Sequence, residues 1–172
     1  MNIREVRTDD ATALLAIYAP YVTDTAITFE YDVPTEDEFR RRISHVTSKH
    51  PWIVAEEDGK IIGYAYADDF KARDAYRHSV ETSIYVEHTQ KHHGVGRALL
   101  TALEERLRRQ GILNANACIA YSETEDETLN LDSVRFHQSM GYRQVAHFHL
   151  CGRKFHRWYD MIWMEKFLGE HT

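Results

Sequence analysis

The chain has 172 residues, and 43% of them are hydrophobic, including ten Tyr, seven Phe and three Trp, which suits one domain with a packed core. A formal net charge of −6 argues against a dedicated nucleic-acid binder, and no apolar run approaches the ~20 residues of a membrane span, so neither partner is expected. Met1 to Glu5 predicts no secretory leader, and the only two cysteines, Cys118 and Cys151, fall in strand-like runs, where buried free thiols of a cytoplasmic protein are expected.

Ile3 to Val6 is a short strand candidate. Asp9 or Asp10 can cap the helix that follows, on which Leu14, Leu15, Ile17, Tyr18 and Tyr21 form a broad apolar face. Thr35 opens a second helix, with Glu38 placed to complete a capping box. Glu36, Asp37 and Glu38 followed by Arg40, Arg41 and Arg42 read as its solvated face. Trp52 to Glu56 and Lys60 to Tyr66 are strands joined at Asp58-Gly59, a strong hairpin signal. Asp68 to Arg77 is polar and reads as a loop, and Ser79 to Val86 is the next strand.

Val95, Ala98, Leu99, Ala102, Leu103 and Leu107 keep helical spacing up to Gly111. Ile112 to Ala120 reads as a buried strand, Tyr121 to Thr128 as an acidic loop, and Asn130 to Met140 as a helix closed by Gly141. Tyr142 to Cys151 and Trp158 to Phe167 form a final antiparallel pair. No repeat or linker interrupts this order, which describes one mixed α/β sheet domain spanning residues 1–172.

The most telling stretch joins the strand Ser79 to Val86 to the helix beginning near Val95 through Lys91-His92-His93-Gly94-Val95-Gly96-Arg97. The first amides of a helix lack internal acceptors and the helix dipole favours an anion there, so a strand, a glycine loop and a helix make a phosphate cradle. The dinucleotide fingerprint fails: its sixth position is Leu99, and the next strand carries no acid. A P-loop fails as well, because no Gly-Lys-Ser or Gly-Lys-Thr is present. Glu81 stands alone as a carboxylate among apolar and hydroxylic neighbours, and reads either as a solvent-facing strand residue or as a proton acceptor.

Lys91-x-x-Gly94-x-Gly96 resembles the acetyl-CoA pyrophosphate loop of the GNAT acetyltransferase superfamily, with Lys91 where the family has Gln or Arg and His92 where many members have Gly. Four ordered segments sharpen the resemblance to the phosphinothricin, methionine sulfoximine and methionine sulfone N-acetyltransferases. They are Lys71-Ala72-Arg73-Asp74-Ala75-Tyr76, Val80-Glu81-x-Ser83-Ile84-Tyr85-Val86, Ser133-Val134-Arg135-Phe136-His137-x-x-x-Gly141-Tyr142 and Gly152-Arg153-Lys154-Phe155-x-x-Trp158-x-Asp160. The acidic stretch Glu123 to Glu127 departs from the family pattern by its length.

The resemblance implies a mostly antiparallel twisted sheet flanked by helices and splayed between its two central strands. It implies acetyl-CoA as co-substrate, direct transfer to the α-amine of a small amino-acid-like substrate, and a homodimer. By resemblance Glu81 is the general base, and His137 falls where many members carry the acid that protonates the leaving thiolate. Backbone groups of Ile84, Tyr85 and Val86 meet the acetyl and pantetheine moieties. Lys91, His92, His93, Gly94, Val95, Gly96 and Arg97 hold the pyrophosphate, and Asn130 and Ser133 lie along the pantetheine arm. Arg73, with Lys71 and Tyr76, suits a substrate carboxylate, since a guanidinium fork matches it in two contacts, while Phe29 and Glu30 roof the acceptor pocket.

Acetylation of a polyamine or a protein N-terminus, which the acidic loop would suit, and a non-catalytic CoA-binding module are the alternatives. Eleven histidines invite a metal reading, but none is expected: His147 and His149 make half a site with no carboxylate or Cys to complete it. Cys118, among Ala117, Ile119 and Ala120, reads as core.

Overall fold

Short apolar runs punctuated by turn residues become strands, and stretches with helical spacing become helices. The computed structural model describes residues 1–172. In chain order the elements are β1 (Asn2–Glu5), α1 (Ala11–Asp24), α2 (Glu36–Thr47), β2 (Trp52–Glu57), β3 (Lys60–Asp69), β4 (Ser79–Val86), α3 (Val95–Arg109), β5 (Asn114–Tyr121), α4 (Asp132–Ser139), β6 (Arg143–Lys154) and β7 (Arg157–Phe167). The strands form one seven-stranded sheet in the order β1-β2-β3-β4-β5-β7-β6, antiparallel except for the parallel β4–β5 pair.

Two apolar cores cover the sheet's faces. Leu99, Leu100, Leu103 and Leu107 of α3 pack on Ile53, Ala65, Val80, Ala115 and Met164. Leu14 and Tyr18 of α1 and Phe39 and Ile43 of α2 pack on Trp52, Val54 and Tyr64. Alternate residues of β2 thus enter opposite cores, which is why its sequence reads as an unbroken apolar run. Each fully buried leucine contributes about 1.5–3 kcal/mol, against about 1 kcal/mol for a helix cap, so burial of one face outweighs capping in holding α3 in place.

Several local expectations need correction. Thr35 accepts the Glu38 N–H at 3.1 Å as expected, but the Glu38 carboxylate turns to Arg41 and Arg42, so the reciprocal half of the capping box is missing. β3 runs three residues further than its apolar pattern, because β4 supplies ladder partners as far as Asp69↔Val80. α4 starts at Asp132, and Asn130 precedes it, accepting the Asp132 N–H at 3.0 Å. β6 extends to Lys154, and the hairpin to β7 turns at Phe155 and His156, both left-handed (φ 51° and 59°). Neither residue carries the Asn or Gly signature of such a turn. Both cysteines are exposed, contrary to the buried positions expected of them.

Candidate active site

The site begins where the sheet comes apart. β4 and β5 pair at three positions only, Ser79↔Asn114, Val80↔Ala115 and Glu81↔Asn116. Asn116 Nδ2 donates to the Val80 carbonyl at 3.1 Å, and the Thr82 hydroxyl donates to the Asn116 carbonyl at 3.4 Å. Past this latch the strands diverge around a cavity of about 580 Å³. Ser83, Ile84, Tyr85 and Val86 line one side, and Ala117, Cys118, Ile119 and Ala120 the other. The Tyr21 hydroxyl donates to the Val86 carbonyl at 2.6 Å and fixes the end of β4 to α1.

The glycine loop closes the other end of the cavity. His92 (φ 65°) and Gly94 (φ 83°) are left-handed, and Gly94 is the N-cap of α3. A Cβ on Gly96 would sit 3.4 Å from Phe136 Cε2, whereas one on Gly94 would meet nothing within 4 Å. The loop is therefore packed on its inner side and open where an anion approaches the first amides of α3. Lys91 and Arg97 bring positive charge to the wall, and His92 and Gly94 complete this end. The Lys91 ammonium sits 5.1 Å from the Tyr21 ring centroid, and burial lowers its pKa. His93 is exposed and outside the wall, and Val95 is buried in the α3 core, so its side chain takes no part. Asn130 and Ser133 line the cavity.

Glu81 lies at the last paired position of β4, half-buried, on the same face as Ser83 and Tyr85. Burial raises its carboxyl pKa above the ordinary value; Lys71 works against the shift and Asp68 adds to it. Lys71 rests against Phe70 and Trp163, 5.3 and 5.9 Å from their ring centroids, and Tyr76 packs edge-on to Phe70 at 5.9 Å. Arg73 is exposed in the same loop, its carbonyl accepting the Tyr76 N–H. Cys118 opens onto the cavity, and desolvation together with the nearby Glu81 pushes its thiol up to about 12, so it stays protonated.

His137 is buried in the cavity wall. Its Nδ1 lies 2.7 Å from the Ser133 carbonyl, which can only accept, so the proton sits on Nδ1 and the Nε2 lone pair is left free. Burial lowers its pKa, so the ring is neutral at neutral pH. A neutral ring protonated on Nδ1 offers Nε2 as a hydrogen-bond acceptor.

Glu30 is already engaged within the protein. Arg42 grips its carboxylate through two nitrogens at 3.0 and 2.6 Å, and the Tyr18 hydroxyl donates to it as well. Arg42 holds its pKa below the ordinary value. Glu30 is thus a brace between α1 and α2, its carboxylate already taken. Phe29 lies across β6 at Gly152, where an added Cβ would fall 2.8 Å from Phe29 Cδ2. Lys154, buried, donates to the carbonyls of Val22 and Thr28 at 2.7 and 2.9 Å and ties the end of α1 and the segment after it to β6.

Sequence reasoning missed the Asn116–Thr82 latch, the Tyr18–Glu30–Arg42 brace and Lys154. Each pairs residues distant in sequence, and Arg42 is hidden among charges that read as solvated.

The acetyltransferase (GNAT) domain family model matches residues 3–163. The chain belongs to the GNAT acetyltransferase family. It is an N-acetyltransferase, and acetyl-CoA is its co-substrate. A phosphinothricin N-acetyltransferase of Alcaligenes faecalis is 36% identical over 170 residues, covering 96% of this chain and 81% of that protein. An L-methionine sulfoximine/L-methionine sulfone acetyltransferase of Salmonella typhimurium is 33% identical over 173 residues, covering 100% of this chain and 97% of the relative. A GNAT-superfamily phosphinothricin acetyltransferase from Sinorhizobium meliloti, solved in complex with acetyl-CoA, aligns with a TM-score of 0.90 at 32% identity, over 99% of this chain and 90% of that one. The residues of this GNAT enzyme fit the co-substrate: a cradle open at Gly94, cations at Lys91 and Arg97, and a split sheet with a free strand edge.

Two of the four carboxylates of the acidic loop are engaged locally. Asp126 pairs with Arg157 and accepts the Thr128 and Leu129 N–H groups, while Glu125 accepts from the Leu131 N–H and from Arg135. These carboxylates fasten the loop to its own surroundings. No helix is long and apolar enough to cross a membrane.

Proposed function

We propose that this enzyme acetylates the α-amine of a small amino-acid-like compound of the phosphinothricin, methionine sulfoximine or methionine sulfone class, with Glu81 as the proton acceptor. The observation that carries the reading is Glu81 itself: a half-buried carboxylate of raised pKa at the point where β4 leaves β5, with Lys71 nearby. The relatives' substrates supply the compound class.

An amino acid reaches the site as an ammonium, which cannot attack a thioester. Glu81 takes one proton and passes it to solvent, freeing the nitrogen lone pair. The nitrogen–carbonyl bond then forms and the carbon–sulfur bond breaks, and the second amine proton ends on the sulfur. The unpaired edge of β4 faces the developing oxyanion. His137, neutral with a free Nε2, accepts and relays that second proton and supplies none of its own. Lys71 and Arg73 face the substrate's carboxylate, beside Tyr76 and under Phe29. The backbone from Ile84 to Val86, the loop Lys91–Arg97, Asn130 and Ser133 hold the co-substrate.

The test is thiol release from acetyl-CoA across a panel of amino acids, sulfoximines, sulfones, phosphinates and polyamines, run on the parent and on Arg73→Ala. The expected result is turnover of the amino-acid analogues, with KM raised roughly 10–150-fold in the variant, as losing a charge-assisted contact costs about 1.5–3 kcal/mol. Methionine sulfone should suffer this loss and its decarboxylated amine should not. Equal losses for both would make Arg73 a support for its loop, and turnover of polyamines alone would overturn the substrate class.

The same reading makes the enzyme a cytoplasmic homodimer. Its acetyl donor is an intracellular metabolite and its thiols are free. The sheet's outer strands β6 and β7 expose Phe148 (51%), Leu150 (63%) and Trp158 (54%), an apolar edge that calls for a cover. Phe155 belongs to that edge, whereas Trp163 packs against Phe70 and is taken up by the loop before β4.

A further inference from the structure

Spacing along the sequence gives His147 and His149 as half a metal site, and the fold supplies the other half. Alternate residues of β6 share a face, and the two imidazoles stack with centroids 4.0 Å apart and planes 20° apart. The ladder between β6 and β7 shifts register between Phe148 and Gly152, and Leu150 takes a left-handed conformation (φ 47°) inside that bulge. The shift brings Asp160 of β7 beside His147. Its Oδ2 accepts from His147 Nε2 at 2.7 Å, and its Oδ1 accepts the Leu150 N–H at 2.7 Å. One ligand atom from each of His147, His149 and Asp160 lies within 4.8 Å of the other two.

We propose that His147, His149 and Asp160 bind one borderline divalent transition-metal ion, of the Zn²⁺ class, that clamps the β6 bulge to β7. Two imidazoles and one carboxylate form an N₂O donor set, which suits Zn²⁺, Ni²⁺ or Cu²⁺ and does not suit Mg²⁺ or Ca²⁺, whose ligands are oxygens. The ion replaces the proton shared by His147 Nε2 and Asp160 Oδ2. Metal bonds of about 2.0–2.2 Å in tetrahedral geometry separate adjacent ligand atoms by about 3.3 Å, so this pair opens by about 0.6 Å. The Leu150 N–H holds the carboxylate from behind, and Tyr121 packs edge-on to the His147 ring at 5.1 Å. The His149 side chain is exposed and swings in without disturbing the core, and the fourth position opens to water. The ion takes no part in acetyl transfer; it closes the hairpin two residues before Gly152, on which Phe29 rests.

The experiment titrates tag-free, chelator-treated full-length protein with Zn²⁺ by calorimetry and follows the melting temperature, with Mg²⁺ as the contrasting ion. The parent should bind one equivalent of Zn²⁺ and melt higher, and Mg²⁺ should do neither. His149→Ala should lose about tenfold or more of the affinity while keeping its circular dichroism and acetyl transfer, and His45→Ala, on exposed α2 surface, should bind as the parent does. His149→Gln provides a second variant if the alanine protein folds poorly. Absence of saturable one-to-one binding by the parent, or parental affinity in a folded His149 variant, would overturn the site.

Discussion

Glu81 is held in a state that costs the fold something. Burial raises its pKa, so the folded protein keeps the proton to a higher pH than the unfolded chain, whose value is near 4.5. Stability is therefore lost as pH rises from about 4.5 through the raised pKa, and the loss persists at neutral pH. Glu81→Gln should melt higher than the parent at neutral pH, with the difference vanishing below about pH 4.5. The same variant should bind acetyl-CoA normally and lose about 10²–10⁴-fold in kcat, the usual range for a general base. A rate within a few-fold of the parent would make Glu81 structural. His137 shifts the opposite way: its lowered pKa favours the neutral ring, so its contribution to stability is complete above about 6.5 and is lost as pH falls through the folded value. Nitrogen-15 spectra of the imidazole should show the proton on Nδ1. A proton on Nε2 would return the ring to the role of donor.

Two glycines hold elements in working positions for different reasons. Gly94 is required by its dihedral, since φ is 83° and a Cβ would meet nothing within 4 Å. Gly94→Ala should cost about 1–2 kcal/mol of strain and place a methyl group at the open mouth of the cradle, weakening acetyl-CoA by about tenfold in calorimetry. Gly152 is required by crowding, since Phe29 occupies the space of its Cβ. Gly152→Ala should raise KM for the acceptor and leave acetyl-CoA affinity unchanged; parallel losses of both would show that Phe29 does not roof the acceptor pocket. The glycine loop and its helix were legible in the sequence because a positive-φ residue before amphipathic spacing is a local pattern. The bulge near Leu150 and the turn at Phe155–His156 were not, since their left-handed residues lack the usual side chains and tertiary packing holds them there. Asp160 consequently went unseen as a partner of His147.

At the scale of the molecule, the order of strands and helices was readable throughout, because each element carries its own period and its own stop signal. The fates of charged and thiol groups were not. Arg42 reaches Glu30 and Asp126 reaches Arg157 across stretches of chain that share no pattern, and Cys118 faces a cavity created only by the parting of two strands. The exposed apolar edge of β6 and β7 should be covered by a second copy, so sedimentation at micromolar concentration should give a dimer, and Leu150→Glu should shift it toward monomer. A monomeric parent would remove the assembly. The three-position seam between β4 and β5 has a mechanical meaning too. Beyond Glu81↔Asn116 the two strands share no ladder partner, so the strands on the seam's two sides respond to thermal motion as two leaves of a book sewn at one end. On the proposed reading, a pantetheine chain would lie in the gap and stitch the open end. Amide hydrogens of β4 and β5 beyond the seam should then exchange more slowly together when acetyl-CoA binds, making the donor a piece of the sheet for as long as it stays.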